Sequence, residues 1–243
     1  MSPSRPVRTP IRRVGWSGRT QVAAVVCLLA VATASTFWSV RSHGFLNWDD
    51  RDVLVDNPSV QQPAGPLMRW AWTTRHMGHY QPLAWLVIAR AAGSPPSAPR
   101  VHSLALALHV ANALLLCWLT ATMIDRGDGR PSRWWIAFAA SAVFALHPLR
   151  VEPVAWVSAL PYLLSAAPLL GSLLFWVRWA RTGSVRARWS SLALFAVSQL
   201  ARVTAPFLPL ALIVLTPAIP GAIARRERLF TCPPKCHHGG HFT

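Results

Sequence analysis

Residues Val101–Ile124 read VHSLALALHVANALLLCWLTATMI, 24 positions without one charged side chain. A helix needs roughly 20 apolar residues to cross the hydrocarbon core of a bilayer, so this stretch predicts a membrane span. Working outward from it, Val22–Val40 and Trp134–Leu149 are almost as free of charge, and Pro161–Val177 follows. A last pair, Leu192–Leu200 and Val203–Pro220, is interrupted by Arg202. Together these runs predict an all-α, polytopic transmembrane helix bundle of about six spans, because only helices and closed barrels satisfy the backbone in lipid.

Composition agrees with that reading. Of 243 residues, 53% are hydrophobic and only 13% charged, too apolar a balance for an ordinary soluble surface. The net charge of +16 invites a nucleic-acid function, but the arginines form no single stripe interleaved with aromatics. They gather at the ends of apolar runs: Arg5–Arg19, then Arg126, Arg130 and Arg133, then Arg178–Arg188, then Arg225–Arg228. That is how membrane topology is encoded. With all four clusters cytoplasmic, the number of spans is even, and Phe45–Tyr80 and Arg150–Leu160 lie on the outer face. No nucleic-acid partner is expected; membrane lipid is.

The first apolar run has the length of an uncleaved signal anchor, and Ala32-Thr33-Ala34 is a weak cleavage site. Residues 1–20 read as a basic, disordered cytoplasmic tail, 21–222 as the transmembrane domain, and 223–243 as a basic tail containing Cys and His. Cys27 and Cys117 fall in apolar runs as core residues, with no disulfide framework in view.

The one long polar segment spans 41–100 and is too long for a bare connector. It holds four of the eight acids, Asp49, Asp50, Asp52 and Asp56, with Trp48, Trp70, Trp72 and Tyr80, which suit a membrane interface. Pro82–Ala92 is apolar but too short to span, and predicts a short interfacial helix. The acids admit two readings: a metal anchor or general base, or a solvated loop with a helix cap.

Other residues stand out. Glu152, in His147-Pro148-Leu149-Arg150-Val151-Glu152, is the only acid between Asp128 and Glu227; an ionisable group at a membrane boundary is a functional candidate, against a plain pairing with Arg150. His102, His109 and Asn112 recur on one helical face, where interhelical hydrogen bonding outweighs a metal site. Arg202 has the fork to hold a phosphate, or simply snorkels. Cys232, Cys236, His237, His238 and His241 have zinc-binding chemistry but no common zinc spacing.

Phe45-Leu46-Asn47-Trp48-Asp49-Asp50, Asp56-Asn57-Pro58, Tyr80-Gln81-Pro82-Leu83, His109-x-x-Asn112-Ala-Leu-Leu-Leu116 and His147-Pro-Leu-Arg-Val-Glu152-Pro-Val-Ala-Trp-Val-Ser158 follow one another in order. This series resembles the membrane part of the transmembrane and tetratricopeptide-repeat protein O-mannosyltransferases and their bacterial relatives, of the GT-C superfamily. The resemblance covers about residues 37–215, and the His-Pro-x-x-Val-Glu-x-Val-Ala-Trp block is its most specific element.

It implies a GT-C-type bundle that moves a sugar from a polyprenyl-phosphate donor to a protein or other hydroxyl acceptor on the outer face of a bacterial plasma membrane. Asp49 and Asp50 become the catalytic pair, with Asp50 favoured as base. Glu152, Arg202, His147, Tyr80 and Arg150 become substrate contacts, with Arg202 facing the lipid phosphate. No cofactor and no divalent metal is required in this scheme. The chain also departs from the family. After Ser158 the relatives commonly show a basic-acidic stretch where Ala159-Leu160-Pro161-Tyr162 stands here, so a phosphate or sugar contact is expected to be missing. The relatives continue into further spans and repeats. A truncated enzyme, a catalytically inactive scaffold and a small transporter therefore remain the alternatives.

Overall fold

The computed structural model describes residues 18–125, 132–219 and 222, and in these it is helical with no β-strand. The tails at 1–17 and 223–243, with the zinc-like cluster and the arginines at 126, 130, 225, 226 and 228, lie outside the described residues. Three helices are long and apolar enough to cross a membrane: α1 (Gly18–Thr36), α4 (Ala98–Ile124) and α7 (Leu160–Thr182), the last extended backward to Val157 by a short 3-10 turn. Their outward faces are apolar and uncovered, as at Leu28, Val31 and Trp118, which is what lipid-facing helices require.

α4 is the axis of the bundle. It packs on α1, on α5 (Ser132–Leu146) and on α7. Its buried face carries Ala105, Ala113, Cys117 and Ala121, small side chains that let neighbouring backbones approach closely. The polar residues of the same face bond across helices. His109 donates from Nε2 to the carbonyl of Ala145 at 2.9 Å, and Asn112 donates to the carbonyl of Leu163 at 2.9 Å. The stripe is therefore interhelical hydrogen bonding.

α5 ends at a bend of 61° and continues as Pro148–Ala155, which includes α6 (Val151–Ala155). The cause is local. Pro148 has no N–H to continue the helix, and it drives His147 out of helical geometry, to φ −64° and ψ 135°. Counting this bent pair as one crossing raises the candidate spans from three to four.

The last two runs give one helix longer than its run and one shorter. α8 (Val185–Ala201) has 17 residues and carries Arg186 and Arg188; α9 (Leu208–Leu215) has eight. They are parted by an extended stretch that begins at Arg202, with φ −166°. At 1.5 Å per residue, eight residues reach only about 12 Å, less than half of the hydrocarbon core.

The segment 41–100 is a folded cap with its own core rather than a loop laid on a surface. It contains α2 (Ala64–Thr73), α3 (Pro82–Ala92) and short 3-10 and π turns. Val53, Leu54, Val60, Leu67, Trp85 and Ile88 pack with Val101, Val154 and Leu160 from the helices below. Its position is tied down by Arg41, whose Nε donates to Ser103 in the first turns of α4, and by His102, whose Nε2 meets the carbonyl of Gly44 at 3.3 Å. Among the described residues, all the candidate site residues lie at this capped end. Arg133 and Arg178–Arg188 lie at the opposite one, where Arg133 pairs with Asp125 and Arg181 reaches Thr122.

Candidate functional site

Asp50 starts the short π turn Arg51–Val55. Its carboxylate is wholly buried and accepts three hydrogen bonds. Oδ2 takes the N–H of Leu46 at 2.9 Å; Oδ1 takes both the N–H of Ser158, at 2.9 Å, and its hydroxyl, at 2.6 Å. Residues 108 apart in sequence are thus locked together, and the cap is riveted to the start of α7. Asp49 is half-buried at the edge of the same turn. The two carboxylates that look equivalent in the sequence therefore differ: one is enclosed and fully engaged, the other has a route to solvent.

Asp52 and Asp56 serve locally. Asp56 forms a two-pronged pair with Arg51, at 2.8 and 3.1 Å. The carbonyl of Asp52 accepts from His76 at 2.9 Å. Asn57 caps the Pro58–Gln61 turn by accepting from Ser59. For Asp56 and Asn57, cap and loop chemistry accounts for the residue types.

The second centre is built around Arg202. Where α8 ends, the extended backbone aims the guanidinium across the bundle to the cap. It donates to Gln81 Oε1 at 2.9 Å and to the Tyr162 hydroxyl at 2.8 Å, and it lies 3.4 Å from His79 Nε2. Its carbon sits 4.2 Å from the Tyr162 ring centroid, a cation–π contact. Three of the five N–H donors of a guanidinium are thereby used, and two remain. His79 is held below its ordinary value of 6.5, first by desolvation and second by the Arg202 charge, so the ring stays neutral and accepts from the guanidinium. An open cavity of about 570 Å³ lies here, lined by His79, Tyr80, Gln81, Tyr162, Arg202 and Thr204 among others.

Tyr80 and Arg202 thus share a wall of this cavity. Tyr80 is exposed, and its hydroxyl donates to the carbonyl of Trp72. Tyr162 is the residue that orients Arg202. The Asp50 lock and the Arg202 cluster both rest on this one segment: Ser158 and Tyr162 are four residues apart, about one turn or ~6 Å along a helix axis.

Three other candidates sit on the bent segment. The His147 ring accepts from the N–H of Leu149 at 3.2 Å and so caps the turn. Arg150 lies 4.7 Å from the Phe144 ring centroid, half-buried. Glu152 is exposed in the first turn of α6, and no ion pair joins it to Arg150. None of the three lines the Arg202 cavity.

Ser158, Gln81, Tyr162 and His79 were not singled out by chemistry in the sequence. Nothing local marks them, since each acquires its role from a partner 40 to 123 residues away. Among the described residues no three His, Cys, Asp or Glu side chains converge as metal ligands. Set against protein-family models, curated proteins and solved structures, the chain matches none.

Proposed function

We propose that this chain is a GT-C-type membrane glycosyltransferase, which moves a sugar from a polyprenyl-phosphate donor to a protein or other hydroxyl acceptor. The observation that carries the reading is the pairing, at one end of an apolar bundle, of an acidic turn with an arginine-lined cavity on adjoining turns of one segment. Asp49, the accessible carboxylate, takes the proton of the acceptor hydroxyl as its oxygen bonds to the anomeric carbon. The bond from that carbon to the phosphate oxygen breaks, and the phosphate leaves with the electron pair. Arg202 faces the charge that develops there, with its two remaining donors. Asp50 positions the acidic turn. Tyr80 contacts the donor on the cavity wall, and Glu152, Arg150 and His147 contact substrate outside that cavity.

In this reading the capped end faces outward from a bacterial plasma membrane. α8 forms a fifth crossing, and the run from Val203 starts a sixth. No metal takes part in the scheme.

A second reading has one observation in its favour. The full engagement of Asp50 is what a structural rivet requires, and a catalytically inactive scaffold would keep it. Membranes bearing the chain, supplied with a panel of radiolabelled polyprenyl-phosphate sugars, separate the two. We expect transfer that falls by about 10²-fold or more in Asp49→Asn and by about 10²-fold in Arg202→Gln, at equal expression. No transfer by the unaltered chain, beside an active relative as control, sinks the enzyme reading.

A further inference from the structure

At the end opposite the cap, α4 and α7 diverge and leave an open groove of about 460 Å³. Its walls are graded. Trp118, Leu174 and Phe175 line it toward the middle of the bundle, with Trp118 58% exposed and Phe175 36% exposed. Arg178 and Arg181 line its outer end. Arg181 is anchored there: it donates to the carbonyls of Thr122 and Asp125, at 2.7 and 3.1 Å, at the C-terminal end of α4. Arg178 is exposed one turn earlier. Among the described residues no acid lines the groove, and the nearby Asp125 carboxylate is paired with Arg133.

We propose that this groove binds an anionic phospholipid. Both walls belong to helices long and apolar enough to cross a membrane, and both arginines stand in the last two turns of α7, at the level where headgroups lie. A basic pocket between membrane helices suits an anionic headgroup. The apolar half suits the first methylenes of the acyl chains, which a free phosphate ion would leave uncovered. The volume lies within the ~300–1,000 Å³ of ordinary ligand pockets, enough for a headgroup and the chain stems. The site does not depend on the enzyme reading, for it lies at the other end of the bundle from Asp50 and Arg202.

The test uses the full chain purified in detergent and mixed with equal phosphatidylglycerol and phosphatidylcholine. Lipid retained by the folded protein is then read by native mass spectrometry. We expect phosphatidylglycerol to be retained in preference. Arg178→Gln should cut that retention by about fivefold, as one basic residue at a membrane surface is expected to. Arg186→Gln removes the same charge outside the groove and should leave retention unchanged. Equal retention of the two lipids, or equal losses in the two arginine variants, overturns the proposal. So does complete displacement by millimolar inorganic phosphate, which would identify an anion site without a lipid.

Discussion

The two ends of the bundle are built differently. At one end, residues 41–100 fold into a cap whose apolar side chains share a core with α4 and α7, and whose polar groups reach across the chain to Ser158, Ser103 and Arg202. At the other, among the described residues, Arg181 joins the end of α7 to the end of α4 through two backbone carbonyls, and Leu119 of α4 packs by Val177 and Ala180 of α7. The difference shows what a cap does for a helix bundle. The Asp50 carboxylate and the Gln81 amide are enclosed where this second layer covers the helix ends, and the Arg202 guanidinium is held at its edge. Lipid-facing helices alone leave such groups to the interface.

Substitutions can break that contrast, the most damaging first. Asp50→Ala should unfold the cap: it removes three acceptor contacts and leaves the part-buried Leu46 and Ser158 donors without that partner, a cost of about 3 kcal/mol. Limited proteolysis should then cut within 41–97, while Asp49→Ala, at a half-buried position, leaves the cap resistant. Equal resistance in both variants would show that the rivet does not hold the cap. At the other end, Arg181→Gln should lower thermal stability in detergent by about 1 kcal/mol, the ordinary worth of a hydrogen bond, without opening the cap. Between the ends, Asn112→Leu removes one interhelical bond and should cost only about 0.6 kcal/mol; a loss of several kcal/mol would mean that α4 depends on polar contacts more than on its small-residue face.

The smallest effect concerns pH at the cavity. The folded state holds His79 below its ordinary value of 6.5, so the unfolded chain takes up the proton first as pH falls. The cap should therefore lose stability as pH drops through and below 6.5 and lose none of it above. His79→Gln, which accepts from Arg202 without titrating, should flatten that dependence in a melting series. A slope unchanged in His79→Gln would assign it to another group.

Much of this was legible in the residues. The charge-free runs at 101–124 and 161–177 lie within α4 and α7, and the run at 22–40 overlaps α1 over 22–36, because a membrane span is a property of local composition. The His-Pro break was legible too, since Pro148 ends α5 by its own covalent geometry. Of the spans read from the sequence, three to four are helices long and apolar enough to cross a membrane, and the run after Arg202, which has the composition of a span, gives eight residues of helix in α9.

The sequence by itself determined that the chain is a set of apolar helices, that its acids gather before α4, and that Arg202 interrupts an apolar run. Those are matters of which residues are neighbours in the chain. Only the tertiary structure decided that Asp50 is enclosed while Asp49 is not, that Tyr162 orients Arg202, and that Gln81 and Ser158 belong to the site. The reason is physical: burial and hydrogen-bond partnership arise between residues as far as 123 positions apart, and identical carboxylates side by side acquire different roles only when another helix covers one of them.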